Sequence, residues 1–136
     1  MFSEIEPVEA SAEDIVIRAC PTLVEENQNK QEFLWGYYFC IENNSSQRVQ
    51  LLGKNWNITD DKGNRFCDDS LGFKGEIPML EPGEFFEFTS MAPLSSPNAV
   101  FYGSCKIQKE GQKESQDIKI PTFMMSVNEP VSAHLN

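Results

Sequence analysis

A chain of 136 residues with 40% hydrophobic content suits one domain with a real core and leaves little room for a second. The net charge of −10 argues against a protein that reads nucleic-acid backbone, which needs a basic face, and against docking on an anionic membrane. An acidic chain is compatible with a basic protein partner or a cation, and equally with solubility alone.

Ten of the aromatic residues are Phe, which favours strands over helices. Residues 1–6 are acidic with no apolar stretch behind them, so no secretory leader is expected. No segment approaches the length of a membrane span. Cys20, Cys40, Cys67 and Cys105 are dispersed and form no C-x-x-C pair, which speaks against a zinc cluster or a redox motif. Without a secretory signal they are expected as reduced thiols in a cytoplasmic protein.

In chain order, residues 1–12 are acidic and aperiodic and are expected to be poorly ordered. Ile15 and Ile17 alternate with polar or small neighbours, giving a first strand over residues 14–20. Residues 21–31 are polar and read as a loop. Phe33, Trp35, Tyr37, Phe39 and Ile41 then occupy every second position, the strongest strand signal in the chain, ending at the turn cluster Asn43-Asn44-Ser45-Ser46. In the next strand Val49 and Leu51 share one parity, and Leu52, Lys54, Trp56 and Ile58 the other. The phase changes beside Gly53, as an inserted bulge residue would make it. Asp61-Lys62-Gly63-Asn64 reads as a turn capped by an Asp carboxylate. A glycine loop, Ser70-Leu71-Gly72-Phe73-Lys74-Gly75, follows, and Pro82-Gly83 fits a type II turn. Phe86 and Phe88 mark one more strand, and Phe101, Gly103, Cys105 and Ile107 another. A last strand carries Ile118, Ile120, Phe123 and Met125, broken in parity at Pro121 and therefore bulged or at an edge. Residues 128–136 form a polar tail, so the domain spans 13–127.

No long 3.6-residue pattern appears. The fold class expected is all-β: an immunoglobulin-like or fibronectin type III-like β-sandwich of about seven or more antiparallel strands, with a closed barrel as the alternative.

The same residues resemble the ApaG family. Trp35-Gly36-Tyr37 and Ile41-Glu42-Asn43 look like its aromatic strand ending in Asn. Val49-Gln50-Leu51-Leu52, Trp56-Asn57-Ile58-Thr59-Asp60 and Gly63 are similar to its V-Q-L-x-x-R-H-W-x-I-T-D-x-x-G signature. Gly72-Phe73-Lys74-Gly75-Glu76-Ile77-Pro78, Leu80 and Pro82-Gly83 resemble its G-V-V-G-E-Q-P-x-L-x-P-G. Phe88-Thr89-Ser90, Gly103 and Ile120-Pro121-x-Phe123 continue in register, so the resemblance covers residues 13–127. It implies a fibronectin type III-like sandwich, a small cytosolic bacterial protein and no established reaction. It also implies an indirect link to cobalt tolerance and magnesium efflux, and, from related eukaryotic domains, protein recognition. The chain departs from the pattern in three places. Lys54-Asn55 stands for Arg-His, Ser70 for the first glycine of G-x-G-x-x-G, and Met91 for the glycine after Thr-Ser.

The candidate ligand- or partner-binding residues are Gly72, Phe73, Lys74 and Gly75, with Lys54 and Asn55. A dinucleotide loop needs a helix after it, and Pro78 disfavours one. The glycines therefore shape a tight loop. A bare phosphate or pyrophosphate nest with Lys74 as counter-charge is the alternative. Phe73, flanked by glycines, is expected to be exposed as an anchor for a partner, with Tyr38 or Tyr102 nearby. Asp60-Asp61 and Asp68-Asp69 lack calcium-loop spacing, so no metal site is assigned. The only histidine, His134, lies in the tail, and no catalytic residue or cofactor is assigned. The expectation is a non-enzymatic protein-interaction module with a protein partner, no nucleic acid and no membrane. Edge strands that can pair between chains leave a homodimer open.

Overall fold

A computed structural model describes residues 7–127. The described residues form ten strands: β1 (Val8–Ala12), β2 (Ile15–Asn27), β3 (Glu32–Asn43), β4 (Val49–Asp60), β5 (Arg65–Leu71), β6 (Met79–Leu80), β7 (Phe85–Leu94), β8 (Asn98–Lys109), β9 (Gln116–Lys119) and β10 (Phe123–Ser126). One sheet runs β1-β2-β3-β7 and the other β10-β8-β4-β5, with β6 beside β4 and β9 beside β8. All pairings are antiparallel. This is the expected sandwich, of the fibronectin type III-like kind.

The alternation in β3 does what its pattern requires. Phe33, Trp35, Tyr37, Phe39 and Ile41 are all buried. They meet Val49, Leu51, Trp56, Ile58, Phe101, Cys105 and Ile107 of the facing sheet in one core. At its centre Phe39 stacks on Trp56 with ring centroids 4.2 Å apart, and Phe101 stacks on Phe123 at 4.9 Å. The pairing of β4 with β8 slips between Leu51 and Gly53, the bulge expected there. The slip lets Leu51 and Lys54 both face inward despite their odd spacing, so Lys54, Trp56 and Ile58 are all buried.

Four expectations are corrected. The strand expected at residues 14–20 runs on as β2 to Asn27, through the supposed loop. Pro21 is tolerated because β1 pairs with β2 only as far as Ala19, so among the described residues β2 borders β3 alone at that point. From Val24 to Asn27 every residue of β2 is exposed, so the end of the strand is polar and shows no alternation. The acidic N-terminus is not uniformly loose, since Val8–Ala12 pairs with β2 as β1; residues 1–6 lie outside the described residues, as does the polar tail at 128–136. A strand, β5, occupies the stretch before the glycine loop, where none is expected from sequence. The last strand is two, β9 and β10, split at Pro121 and both flanking β8.

The turns at Gly63 and Pro82-Gly83 form as expected. Asp60 accepts from the Lys62 and Asn64 N–H groups at 2.9 and 2.8 Å, and Glu84 N–H donates to the Glu81 carbonyl at 2.9 Å. Phe39 has no exposed surface and touches Tyr37, Trp56, Phe101 and Phe123. Phe39→Ala is expected to cost about 3–5 kcal/mol, read as a lower urea midpoint. A cost below about 1 kcal/mol would show that the stack is not the centre of the core.

Candidate functional site

The glycine loop is a tight hairpin. Phe73 N–H donates to the Glu76 carbonyl at 2.7 Å, and Glu76 N–H returns a bond to the Phe73 carbonyl at 3.1 Å. Between them Lys74 and Gly75 have φ of 52° and 87°, the type I′ geometry that demands positive φ at both positions. Gly72 is needed for a second reason. A Cβ there would stand 2.5 Å from the Glu76 carbonyl oxygen. The Gly72 N–H donates to the Leu52 carbonyl at 2.6 Å, and the Pro78 carbonyl accepts from Leu51 N–H at 2.8 Å. Both ends of the loop are thereby laced to the bulged strand β4, and the chain passes from the loop into β6 with no helix.

Phe73 is not an exposed anchor. It is fully buried, packed against Trp56, Phe86 and Phe88 with centroids 5.4–6.0 Å away. The hairpin turns its ring inward, where it closes the open side of the sandwich between β4 and β7. The apolar residues left outside are its neighbours: Leu71 is 83% exposed, Ile77 50% and Met79 44%.

Lys54 is the loop's anchor. Its ammonium donates to Ser70 Oγ at 2.9 Å and to the Gly72 carbonyl at 3.0 Å, with an Asp68 carboxylate oxygen at 3.5 Å. Ser70 Oγ donates on to Asp68 at 2.8 Å. The rings of Trp56, Phe73 and Phe88 surround the same nitrogen at 5.1–5.8 Å. A lysine has three N–H donors and no acceptor, so this buried cation is satisfied by two neutral oxygens and one carboxylate.

The candidate residues therefore divide. Lys54, Gly72 and Phe73 come together inside. Lys74 sits at the tip and reaches back, its ammonium donating to the Thr89 carbonyl on β7 at 2.8 Å and standing 5.3 Å over the Phe88 ring. Gly75 is beside it in the turn. Asn55 points to the other face of the sheet, as a neighbour of Lys54 on a strand must, and accepts from the Asn57 side chain at 3.0 Å. Tyr38 is tied to Glu87 at 2.6 Å and Tyr102 to Thr59 at 3.1 Å.

Asp60, Asp61 and Asp68 have structural partners. Asp61 is bonded to Ser96 Oγ and Asn98, contacts that hold its carboxyl below the usual range. Among the described residues no group of three or more His, Cys, Asp or Glu side chains is placed to hold a metal. His134 lies outside the described residues. Burial pushes the Cys105 thiol up to about 12, which keeps it protonated at neutral pH.

Leu71 and Ile77 lie within the loop 68–78 that the sequence offers as a surface but are not singled out there, and Met79 and Thr89 lie outside it. Three apolar side chains flanking a glycine loop are a legible signal. The role of the Thr89 carbonyl, a backbone atom distant in sequence, is not.

Fold and site define a β-sandwich with one ordered, clamped loop between its sheets. The ApaG domain model matches residues 24–109. Protein ApaG of Rhizobium meliloti (strain 1021) is 34% identical over 118 residues, 85% of this chain and 90% of that protein. Protein ApaG of Maricaulis maris (strain MCS10) is 37% identical over 111 residues, 80% of this chain and 85% of that one. The crystal structure of the putative ApaA protein from Bordetella pertussis superposes with a TM-score of 0.78 at 27% identity, covering 90% of this chain and 96% of that one. The chain belongs to the ApaG domain family.

Lys54→Met keeps the stem length but leaves the Gly72 carbonyl without its donor. It is expected to cost about 1–3 kcal/mol, with faster amide exchange concentrated at Gly72 and Phe73. Unchanged exchange at those two amides would mean that Lys54 does not hold the loop.

Proposed function

We propose that this chain is a non-enzymatic protein-recognition module of the ApaG type, acting in the cytoplasm, and that it meets its partner through residues 71–79. The observation that carries this reading is the exposure of Leu71, 83%, at the end of a loop whose backbone is bonded to β4 at Gly72 and backed by buried Phe73. Apolar side chains held out on a rigid scaffold lose little freedom when a partner covers them, so most of their burial appears as affinity. Ile77 and Met79 extend the same apolar surface. The exposed Asp69 and Glu76 stand close to Leu71 and Ile77 along the chain, whose net charge is −10, so a partner with an apolar pocket and a basic rim is favoured. The family's link to cobalt and magnesium handling would then run through that partner.

The phosphate reading has less support. The N–H groups of Gly72 and Phe73 are spent on the Leu52 and Glu76 carbonyls, and the Lys74 side chain is turned back toward Thr89 on β7. A backbone nest for an anion would have to displace the two N–H bonds.

A photo-crosslinking residue placed at Leu71 is expected to capture a discrete partner in cells, and one placed at Glu26 on the far ribbon is not. Leu71→Ser with Ile77→Ser is expected to weaken binding of that partner by about tenfold or more while leaving the melting temperature near the parent's. Equal capture from both positions, or undiminished binding by the double variant, would sink the proposal.

A further inference from the structure

Strand β7 is an edge of its sheet. Among the described residues β3 pairs along one side of it and no strand along the other. The free side can be identified from the backbone. Along a strand, successive N–H and C=O groups face alternate sides. The Glu84 carbonyl accepts from Asn43 N–H of β3, so even-numbered residues face β3. Residues 85, 87, 89 and 91 therefore direct their N–H and C=O groups to the open side. Pro93, with no N–H to offer, closes this row in the manner of an edge strand. Phe85 and Met91 on this row are each 57% exposed. An open edge of this length with apolar side chains invites pairing by another strand.

One contact interrupts the row. The Lys74 ammonium occupies the Thr89 carbonyl at 2.8 Å, near its middle, and the Phe88 ring lies beneath the same nitrogen. Lys74 has a positive φ of 52°, as Glu13, Asp14 and Gln31 also have positive φ, so the turn alone does not explain a lysine here. A lysine whose charge is delivered to an open strand edge, over an aromatic ring, points to a role for that charge.

We propose that Lys74 closes the β7 edge against a second copy of this chain. Self-pairing is favoured as the competing state because the edge is complementary to itself. Two copies laid antiparallel about Phe88 put Phe85 opposite Met91 of the second copy, and Glu87 opposite Thr89. All four pairs can exchange N–H···O=C bonds on the open side, the exposed apolar residues cover one another, and no like charges stand directly opposite. The Thr89 carbonyl is one of the acceptors that this ladder needs, and Lys74 withholds it.

The test is the mass in solution of three variants. Lys74→Met removes the charge and keeps the stem. Lys74→Asn removes the charge while suiting the positive φ, so it folds even if the methionine variant does not. Both are expected to sediment at twice the mass of the monomeric parent at the same concentration. Met91→Lys added to Lys74→Asn returns a charge to the edge and is expected to restore the monomer. The proposal is overturned if the parent is already a dimer, if Lys74→Asn stays monomeric, as it would were the edge meant for a strand of another protein, or if the dimer persists with Met91→Lys.

Discussion

The ammonium of Lys54 is the interaction on which the functional end of the molecule depends. A lone cation in an apolar interior would cost several kcal/mol, so it persists only where oxygen atoms replace its water. Here those oxygens come from Ser70, Gly72 and Asp68, all on or just beyond β5. Satisfying the lysine thus fixes β5 and the start of the loop against the edge of β4. The loop can then turn only where Gly72 and the Lys74-Gly75 pair allow it. Phe73 is driven under it, and Leu71 and Ile77 are left outside. The cause lies one step earlier, in the bulge between Leu51 and Gly53, which places Lys54 on the buried side with Trp56 and Ile58.

The aromatic core and the loop are one packing system. Trp56 contacts Tyr37, Phe39 and Phe101 in the centre, and Phe73 and Phe88 at the end. Phe88 lies within reach of both ammonium groups, Lys54 at 5.2 Å and Lys74 at 5.3 Å. A loop joined in this way to the centre of the sandwich gives its exposed residues the rigidity of the scaffold, which is what recognition by so few side chains requires.

What the sequence made legible follows from how local each signal is. The strand β3 was plain because one of its faces is buried throughout, so alternation runs unbroken from Phe33 to Ile41. The bulge at Gly53 was visible as a change of phase, and the inward parity of Lys54 with it. Strand β5 left no trace because nearly all of it is exposed, and what orders it is pairing with β4 and the contact with Lys54, both distant in sequence. The orientation of Phe73 was misread for a related reason. Flanking glycines announce a tight turn, but which side of the turn is inward depends on where β4 and β7 stand. The family resemblance was legible because it rests on order and spacing along the chain. The apolar surface around Leu71 depends on Phe73 turning inward, which no local signal encodes.

Two of the three departures from the family pattern meet in space. Lys54 stands where the pattern has Arg, and Ser70 where it has the first loop glycine, sixteen residues apart in sequence but joined by a 2.9 Å hydrogen bond. The two changes are complementary in chemistry. An arginine offers five donors in a planar fork, whereas a lysine offers three around a point, each of which needs an acceptor close by. A glycine at position 70 would present no side-chain oxygen. The Ser70 hydroxyl accepts from Lys54 and donates to Asp68, linking the cation to a carboxylate that stands 3.5 Å from it. A glycine lost from a phosphate-type loop would ordinarily be read as loss of a ligand site. In this chain the serine that replaces it is an acceptor for the buried lysine, so the loop is held by side-chain chemistry at a position where the resembled pattern has bare backbone.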